Sequence, residues 1–419
     1  MNLESIKKFP VFKIFYRFPG LIGFYHFSLS FISGLFYGFP SRKVFVIGVT
    51  GTKGKTTALE VIDDILSRNG DRTALLSSLY IKVGEHKEKN LTDNTMPGRF
   101  FLQRFLKQAE KAGCKYALIE VTSQGVSLHR HKFINWRMAA VLNLSPEHIE
   151  AHGSFEKYRE AKLNFLEYAA QKGATVFVNE DSPSADFFLE KLRNSKVVLF
   201  SGSERSLGIT NNIDSKSYLL SSIFNRENFS LAVAITRSLG VKENFIVETA
   251  RSFKGVPGRM EFVQRDPFLV VVDYAHTPDS LAQVYKTLKG NYSSRNSKLI
   301  CVLGSAGGGR DKWKRPEFGK IAAKYCDEII LTNEDPYDED PSLILTEIRD
   351  GILKKEPVII LDRQAAIKKA VDLAKKGDVV VVTGKGSEPY IHVKNGAKIV
   401  WSDTRAVLRA LKKEAPMTL

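Results

Sequence analysis

Lys55, Thr56 and Thr57 close the run Gly51-Thr-Lys-Gly-Lys-Thr-Thr57, between a β-branched stretch from Val44 and a helical pattern. Glycines in such a turn let backbone N–H groups approach phosphate oxygens, and the start of a helix adds positive potential. Lys55 can reach the outer phosphates of a nucleotide and the Thr56 hydroxyl can ligand Mg²⁺. The usual spacing puts a glycine where Val49 stands, so this is a variant phosphate-binding loop. Glu120 follows Tyr116–Ile119 at the carboxyl end of a predicted strand, the edge at which parallel sheets bind ligands. It reads as a Mg²⁺ ligand beside such a loop, or as a solvated strand-end acid. Asn143–Gly153 gathers Glu147, His148, Glu150 and His152 in a strand-end loop, a clustering that favours a metal or phosphate site. Lys162, on a helical pattern, reads on composition alone as a solvated lysine.

The elements that must position these residues alternate. Ala58–Arg68 is helical and closed by Asn69-Gly70. Strand-like runs recur at Tyr116–Val121, Ala139–Leu144 and Thr175–Val178, and again at Phe268–Val272, Lys298–Leu303, Glu328–Leu331, Val358–Leu361 and Val379–Val382. Helical patterns separate them, as at Pro316–Cys326, Leu343–Leu353 and Ala365–Lys375. Strands that are apolar almost throughout, alternating with helices, predict an α/β fold with mostly parallel sheets covered on both faces. Lys254–Gly258 is the candidate linker, which predicts an N-terminal aromatic helical segment (1–43), a central domain carrying the phosphate loop (44–255) and a C-terminal domain (256–419).

The chain has 419 residues and a formal net charge of +16. Its lysines are dispersed and no nucleic-acid module is recognisable, so the charge is read as a surface for small anions or an anionic membrane, not for nucleic acid. Cys114, Cys301 and Cys326 are scattered and odd in number, giving no disulfide framework and no zinc spacing, as suits a reducing cytosol. A cytoplasmic monomer is expected. Residues 18–41 carry no Asp, Glu, Lys or Arg. Leu21, Phe24, Tyr25, Phe31, Ile32, Leu35 and Phe36 recur at helical spacing, with Gly23, His26, Ser30, Ser33 and Gly34 opposite, an amphipathic helix with a broad apolar side. Packing of that side on the next domain is the leading reading. Contact of residues 11–40 with a membrane surface is the second, and spanning the third.

Eight motifs stand in family order: Gly51–Thr57, Glu120-Val-Thr-Ser123, His148 with His152-Gly153, Tyr158-Arg-Glu-Ala-Lys162, Asn225-Arg-Glu-Asn228, Pro257-Gly-Arg-Met-Glu261, Asp273-Tyr-Ala-His-Thr-Pro278 and Gly384-Lys-Gly-Ser-Glu388. Together they resemble the Mur ligases, most closely the UDP-N-acetylmuramyl-tripeptide synthetase type, over roughly residues 40–410. The resemblance implies a central phosphate-loop domain followed by a Rossmann-like C-terminal domain. It implies an ATP-dependent amide ligase of peptidoglycan precursor synthesis, in which a muramyl-peptide carboxylate forms an acyl phosphate that an amino acid attacks.

By the same resemblance Gly51, Thr52, Lys53, Gly54, Lys55, Thr56 and Thr57 cradle the phosphates. Thr56, Glu120, His148 and a carbamylated Lys162 hold two Mg²⁺ ions. Asn225 and Asn228 lie near the adenine, and Arg259, Asp273, Tyr274 and His276 reach the nucleotide from beyond the linker. Lys55, Lys162, Arg259 and His148 are the catalytic set. Asn94, Thr95, Thr122, Ser123, Arg130 and His152 are assigned to the sugar-peptide, and Lys314, Arg315, Glu334, Asp335, Tyr337, Gly384 and Glu388 to the incoming amino acid.

Departures from the family pattern also carry information. Members of this type begin with a UDP-binding domain, whereas 43 residues precede the first strand here. Met96 is inserted into the sugar-peptide loop Thr92–Pro97, and Ser387 stands where a histidine is usual. Diaminopimelate-adding members carry Asp-Asn-Pro-Arg, but the run here is Glu334-Asp-Pro-Tyr337, and tyrosine cannot pair with a second carboxylate. An acidic Glu334/Asp335/Glu388 cluster instead suits an ammonium-bearing acceptor such as lysine, with Lys314 or Arg315 for its α-carboxylate. The alternatives are a folylpolyglutamate- or cyanophycin-like ligase, or a non-ligating subunit of a lipid II-modifying enzyme. The last usually needs a four-cysteine zinc ribbon that three cysteines cannot supply.

Overall fold

The structure is a computed structural model, and it describes residues 19–412 apart from 93, 146–151, 204–206, 209–216, 221, 294–295 and 310–311. It divides into two compact units, the first ending at Phe253 and the second beginning at Lys254.

The first unit is built on eight strands: β1 (Phe45–Thr50), β2 (Thr73–Leu76), β3 (Tyr80–Val83), β4 (His86–Lys89), β5 (Tyr116–Glu120), β6 (Trp136–Val141), β7 (Thr175–Asn179) and β8 (Val197–Phe200). Their order is β4-β3-β2-β5-β1-β6-β7-β8. Pairing is parallel from β2 to β8, while β3 and β4 add an antiparallel edge. The central strands are buried on both faces, as the side chains of Val46, Ile47, Leu118 and Ile119 show. That burial is why they read as continuous apolar runs, not as alternating ones. Trp136 packs edge-on against Phe165 at 5.1 Å, anchoring helix Phe155–Ala170 to the sheet. Ser154 caps that helix by accepting the Lys157 N–H.

The second unit has six strands in the order β13-β12-β11-β14-β10-β9. These are β9 (Glu261–Gln264), β10 (Leu269–Asp273), β11 (Leu299–Leu303), β12 (Glu328–Leu331), β13 (Val358–Ile359) and β14 (Val379–Thr383). All pair in parallel except β9, which is antiparallel to β10. The short antiparallel pair β15 (Tyr390–His392) and β16 (Lys398–Val400) lies outside this sheet. The α/β class with mostly parallel sheets is as expected.

Two expectations are corrected. Cys301 and Cys326 form a disulfide, with Cα atoms 6.0 Å apart, and Cys114 alone is free. Cys301 lies on β11 and Cys326 follows helix Lys314–Tyr325, so a strand–helix crossover returns the chain beside its own start. The separation of 25 residues is a crossover length, a relation that spacing alone does not display.

The second correction concerns helix Pro19–Tyr37. It packs with its small and polar side, not its apolar one. Ser30 and Ser33 are buried, whereas Phe24, Leu35 and Phe36 are exposed. The inward hydroxyl of Ser30 donates to the His129 carbonyl at 2.8 Å, a contact that an apolar side could not make. Among the described residues no helix is long and apolar enough to cross a membrane.

Candidate active site

The carboxyl ends of β1 and β5 place Thr50 and Glu120 at one sheet edge, and helix Lys55–Arg68 starts there. Gly54 caps the helix at φ +81°, and a Cβ on it would come within 2.1 Å of Asn228 Oδ1. Only glycine combines that backbone with so close an approach. Lys55 Nζ donates to the Gly51 and Thr52 carbonyls at 2.9 and 3.1 Å and lies 3.8 Å from Glu120 Oε1. The Thr56 hydroxyl donates to Glu120 Oε2 at 2.9 Å, an oxygen that also accepts the Ser78 N–H at 3.0 Å. Ser78 Oγ lies 2.9 Å from Thr56 Oγ1.

The other wall of the loop comes from the segment after β6. Asn143 bonds both backbone groups of Lys53, accepting at 2.9 Å and donating at 3.2 Å. Thr52 Oγ1 accepts the Ser145 N–H at 3.0 Å and lies 3.0 Å from the Tyr158 hydroxyl. Tyr158 and Lys162 are one helical turn apart on Phe155–Ala170, so both face the loop. Lys162 is buried, donates to the Gly51 carbonyl at 2.9 Å and lies 4.6 Å from the centre of the Tyr158 ring. His152 Nε2 is 3.0 Å from Ser123 Oγ. Burial first, and then the Lys162 charge, hold the His152 imidazole below the usual histidine range.

Lys55, Thr56, Glu120, Lys162, Ser123 and His152 are therefore brought to one edge of the first unit. Thr57 is buried in the first turn of its helix, and Thr122 caps Ser123–Ser127 by accepting the Gly125 N–H at 3.1 Å. Asn225 is buried and donates to the Tyr218 carbonyl at 3.0 Å. Arg130 donates to the Met96 carbonyl, and the buried Met96 side chain lies against Gly125. Asn94 is held in its loop by Thr92, and Thr95 follows it half-buried. His148, with Glu147 and Glu150, lies outside the described residues.

In the second unit Asp273, at the end of β10, accepts the Met260 and Ala275 N–H groups at 2.7 Å each. Burial pushes its carboxyl above the usual range. The Arg259 guanidinium lies 4.0 Å from the centre of the Tyr274 ring, and the Tyr274 hydroxyl donates to Glu388 Oε1 at 2.6 Å. His276 Nδ1 is 2.8 Å from the Tyr274 carbonyl, and Lys314 Nζ donates to the His276 carbonyl at 3.4 Å.

Lys385 lies at the centre of the expected acidic cluster. It is fully buried and bonds both Asp335 oxygens at 2.8 and 2.7 Å and Glu388 Oε2 at 2.6 Å. Burial raises the Glu388 carboxyl, but Lys385, the Tyr274 hydroxyl and His276 together outweigh it and the net shift is downward. Glu334 is pushed up by burial and by Asp335, and Gly384 abuts it so closely that a Cβ would meet Glu334 Oε2 at 2.2 Å. Two of the three acids are thus already matched to an ammonium of the chain itself. Arg315, offered for the α-carboxylate, is buried and donates to Glu347 at 2.6 Å, Glu339 at 3.0 Å and the Ala306 carbonyl at 3.3 Å, so its guanidinium is committed within the fold. Tyr337 stacks on His392 with ring centres 5.1 Å apart.

Sequence reasoning missed Ser78, Ser145 and the role of Lys385. Lys385 stands inside the Gly384–Glu388 motif, where its burial has no sequence signature. Ser78 follows a strand of four residues, too short to announce itself.

The Mur ligase middle domain model matches residues 49–238, and the model for the Mur ligase, glutamate ligase domain matches residues 258–386. A UDP-N-acetylmuramoyl-L-alanyl-D-glutamate--2,6-diaminopimelate ligase of Aquifex aeolicus is 37% identical over 90% of this chain and 79% of its own length. The ligase of the same name from Geobacillus kaustophilus is 32% identical over 92% of this chain and 82% of its own. A solved structure of a ligase of that name is 30% identical with a TM-score of 0.58, covering 88% of this chain and 78% of that one. Mycobacterium tuberculosis folylpolyglutamate synthase, at 16% identity, shares the fold alone, with a TM-score of 0.65 over 84% of this chain and 91% of its own. The chain belongs to the Mur ligase family, ATP- and Mg²⁺-dependent enzymes that form amide bonds.

Proposed function

We propose that the protein joins an amino acid to the free carboxylate of a muramyl peptide, as the names of its relatives describe for them. The carboxylate attacks the γ-phosphorus of ATP and ADP leaves. The amine of the amino acid then attacks the acyl carbon, losing a proton and expelling phosphate. The observation that carries this reading is the Thr56–Glu120 pair, 2.9 Å apart at the head of a helix whose Lys55 turns back over the loop.

These residues fit Mg²⁺, a hard cation usually held by one or two carboxylates together with phosphate oxygens. When bound, it would supply charge neutralisation between two anionic reactants. Lys55 and the loop N–H groups bind and orient the phosphates, while Asn228 closes the loop over Gly54.

Lys162 is assigned a carbamate. Its neutral amine adds to CO₂ and releases a proton, turning a cation into an anionic oxygen ligand. The support is electrostatic: in its ammonium form the buried Lys162 shares the Gly51 carbonyl with the half-buried Lys55, setting two cations beside each other. In the second unit Lys314, Glu334 and Tyr337 are assigned to the amino acid, with Asp335 and Glu388 acting through Lys385.

The test is phosphate release from ATP with UDP-N-acetylmuramoyl-L-alanyl-D-glutamate and a panel of amino acids, followed by the mass of the product. Release that requires both substrates and yields a dehydrated adduct is the expected result. ATP turnover indifferent to either substrate would overturn the assignment.

A further inference from the structure

Helix Pro19–Tyr37 is mounted inside out. Ser30 and Ser33, only 1% and 0% exposed, turn inward, and Ser33 Oγ donates to the Ser30 carbonyl at 2.9 Å. His26 is on this side too, held down to about 4, by burial first and then by Arg99. The other side, outward, carries Leu21, Phe24, Ile32, Leu35 and Phe36, with Phe24 70% and Phe36 73% exposed. Phe36 continues onto Phe100, itself exposed, at 6.1 Å. Water-facing helices put small and polar residues outward, whereas helices that face lipid reverse the order and turn small residues to the protein. A contiguous aromatic surface of this kind marks an interaction site.

A second feature says what covers it. Along one flank of the helix Phe27 and Phe31 pack edge-on against Phe133, at 4.9 and 5.3 Å. There they border a cleft of roughly 470 Å³, lined by Phe27, Phe39 and Tyr168 together with Arg42, Lys132 and Lys172. Lys132 and Lys172 lie 4.1 and 5.3 Å from the centre of the same Tyr168 ring. Burial, and after it the Lys172 charge, press the Lys132 ammonium below the usual lysine range. No carboxylate is among the described residues lining the cleft. No Asp or Glu occurs anywhere between Glu4 and Glu60. An apolar surface bordered by an aromatic cleft with three cations matches acyl chains bordered by anionic headgroups.

We propose that the first unit docks on an anionic lipid surface, with the outward side of helix Pro19–Tyr37 in the acyl boundary and a headgroup phosphate in the Arg42/Lys132/Lys172 cleft. The inference stands apart from the ligase reading. The cleft lies at the end of the sheet where β6 begins, and the phosphate loop lies at the other, roughly 17 Å away at the usual rise per strand residue.

Flotation of the full chain with vesicles of phosphatidylcholine, with and without phosphatidylglycerol, tests it. The protein is expected to float with the phosphatidylglycerol vesicles and to be released by high salt. Replacing Phe24, Leu35 and Phe36 together by serine should weaken partition by more than about tenfold. Arg42→Glu, Lys132→Glu and Lys172→Glu together should do the same on anionic vesicles only. All six positions are remote from the phosphate loop, so ATP turnover by both variants should stay at the unmodified level, which also reports that they fold. Failure of the unmodified protein to float overturns the proposal, as does equal flotation of the serine variant. A dimer in solution that the serine variant turns into monomers, with no flotation, would show that a second copy covers the surface and would overturn it too. Equal binding to neutral vesicles would remove the headgroup site.

Discussion

Lys55 and Lys162 donate to one carbonyl oxygen, so in their ammonium forms they sit within two hydrogen-bond lengths of each other. The proposed carbamylation would remove that repulsion, which makes Lys162→Ala a diagnostic change. The variant should lose on the order of a hundredfold in kcat or more, and short carboxylates such as acetate should restore part of it. Full activity without additive would sink the carbamate. At Tyr337 the issue is selectivity. Its ring stacks on His392 and brings no cation to a second carboxylate, and losing one charged pair of that kind costs about 2–5 kcal/mol. Lysine should therefore exceed diaminopimelate in kcat/KM by at least about tenfold, although the relatives are named for diaminopimelate. A higher kcat/KM for diaminopimelate would show that another cation reads the distal carboxylate.

Two positions that adjoin helices of the first unit can be tested by single substitutions. Gly54 caps helix Lys55–Arg68 at φ +81° against Asn228. Gly54→Ala places a Cβ in the left-handed region, at roughly 1–2 kcal/mol of strain, and drives it into the Asn228 amide. Nucleotide affinity should fall sharply, and an Asn228→Ala second change should relieve the contact but not the backbone strain. Isothermal titration with ADP and Mg²⁺ separates the two contributions. His131 lies under Phe155–Ala170 with its ring edge-on to Tyr168 at 5.1 Å, and neither ring nitrogen has a hydrogen-bond partner among the described residues. Burial, then Lys132, hold it down to about 3. The unfolded chain protonates near 6.5, so this group's contribution is full above that pH and is lost as pH falls toward about 3. His131→Phe should melt higher than the unmodified protein and lose less stability between neutral and mildly acid pH. Parallel melting curves for the two proteins across that range would rule this out.

At the scale of the whole molecule the net charge of +16 acts on every anionic reactant. ATP and a UDP-linked peptide should be drawn in by a field that salt screens, because the Debye length shortens from about 10 Å at 0.1 M to about 3 Å at 1 M. KM for both should rise with ionic strength while kcat changes little. A kcat that falls in parallel with a constant KM would place the effect of salt on the chemical step instead.

Much of this was legible in the residues themselves. Phosphate loops, capped helices and parallel strands are local: glycine spacing, a Ser or Thr before a helix and runs of Val and Ile act within a few residues of the chain. For that reason the Gly51–Thr57 loop, the Tyr158-to-Lys162 turn and the alternation of strand and helix could be read in advance. Tertiary contact decided what depends on partners far away in sequence. Cys301 meets Cys326 only because a crossover folds back on itself. Lys385 becomes the partner of Asp335 only when the loops that follow β12 and β14, two strands separated by β11, meet at one edge of the sheet. The helix Pro19–Tyr37 shows the limit most plainly. Periodicity reveals that it has two unlike sides, but which side meets protein is set by the surface it lands on. Here that surface offers the His129 carbonyl to Ser30 and leaves the aromatic side outward.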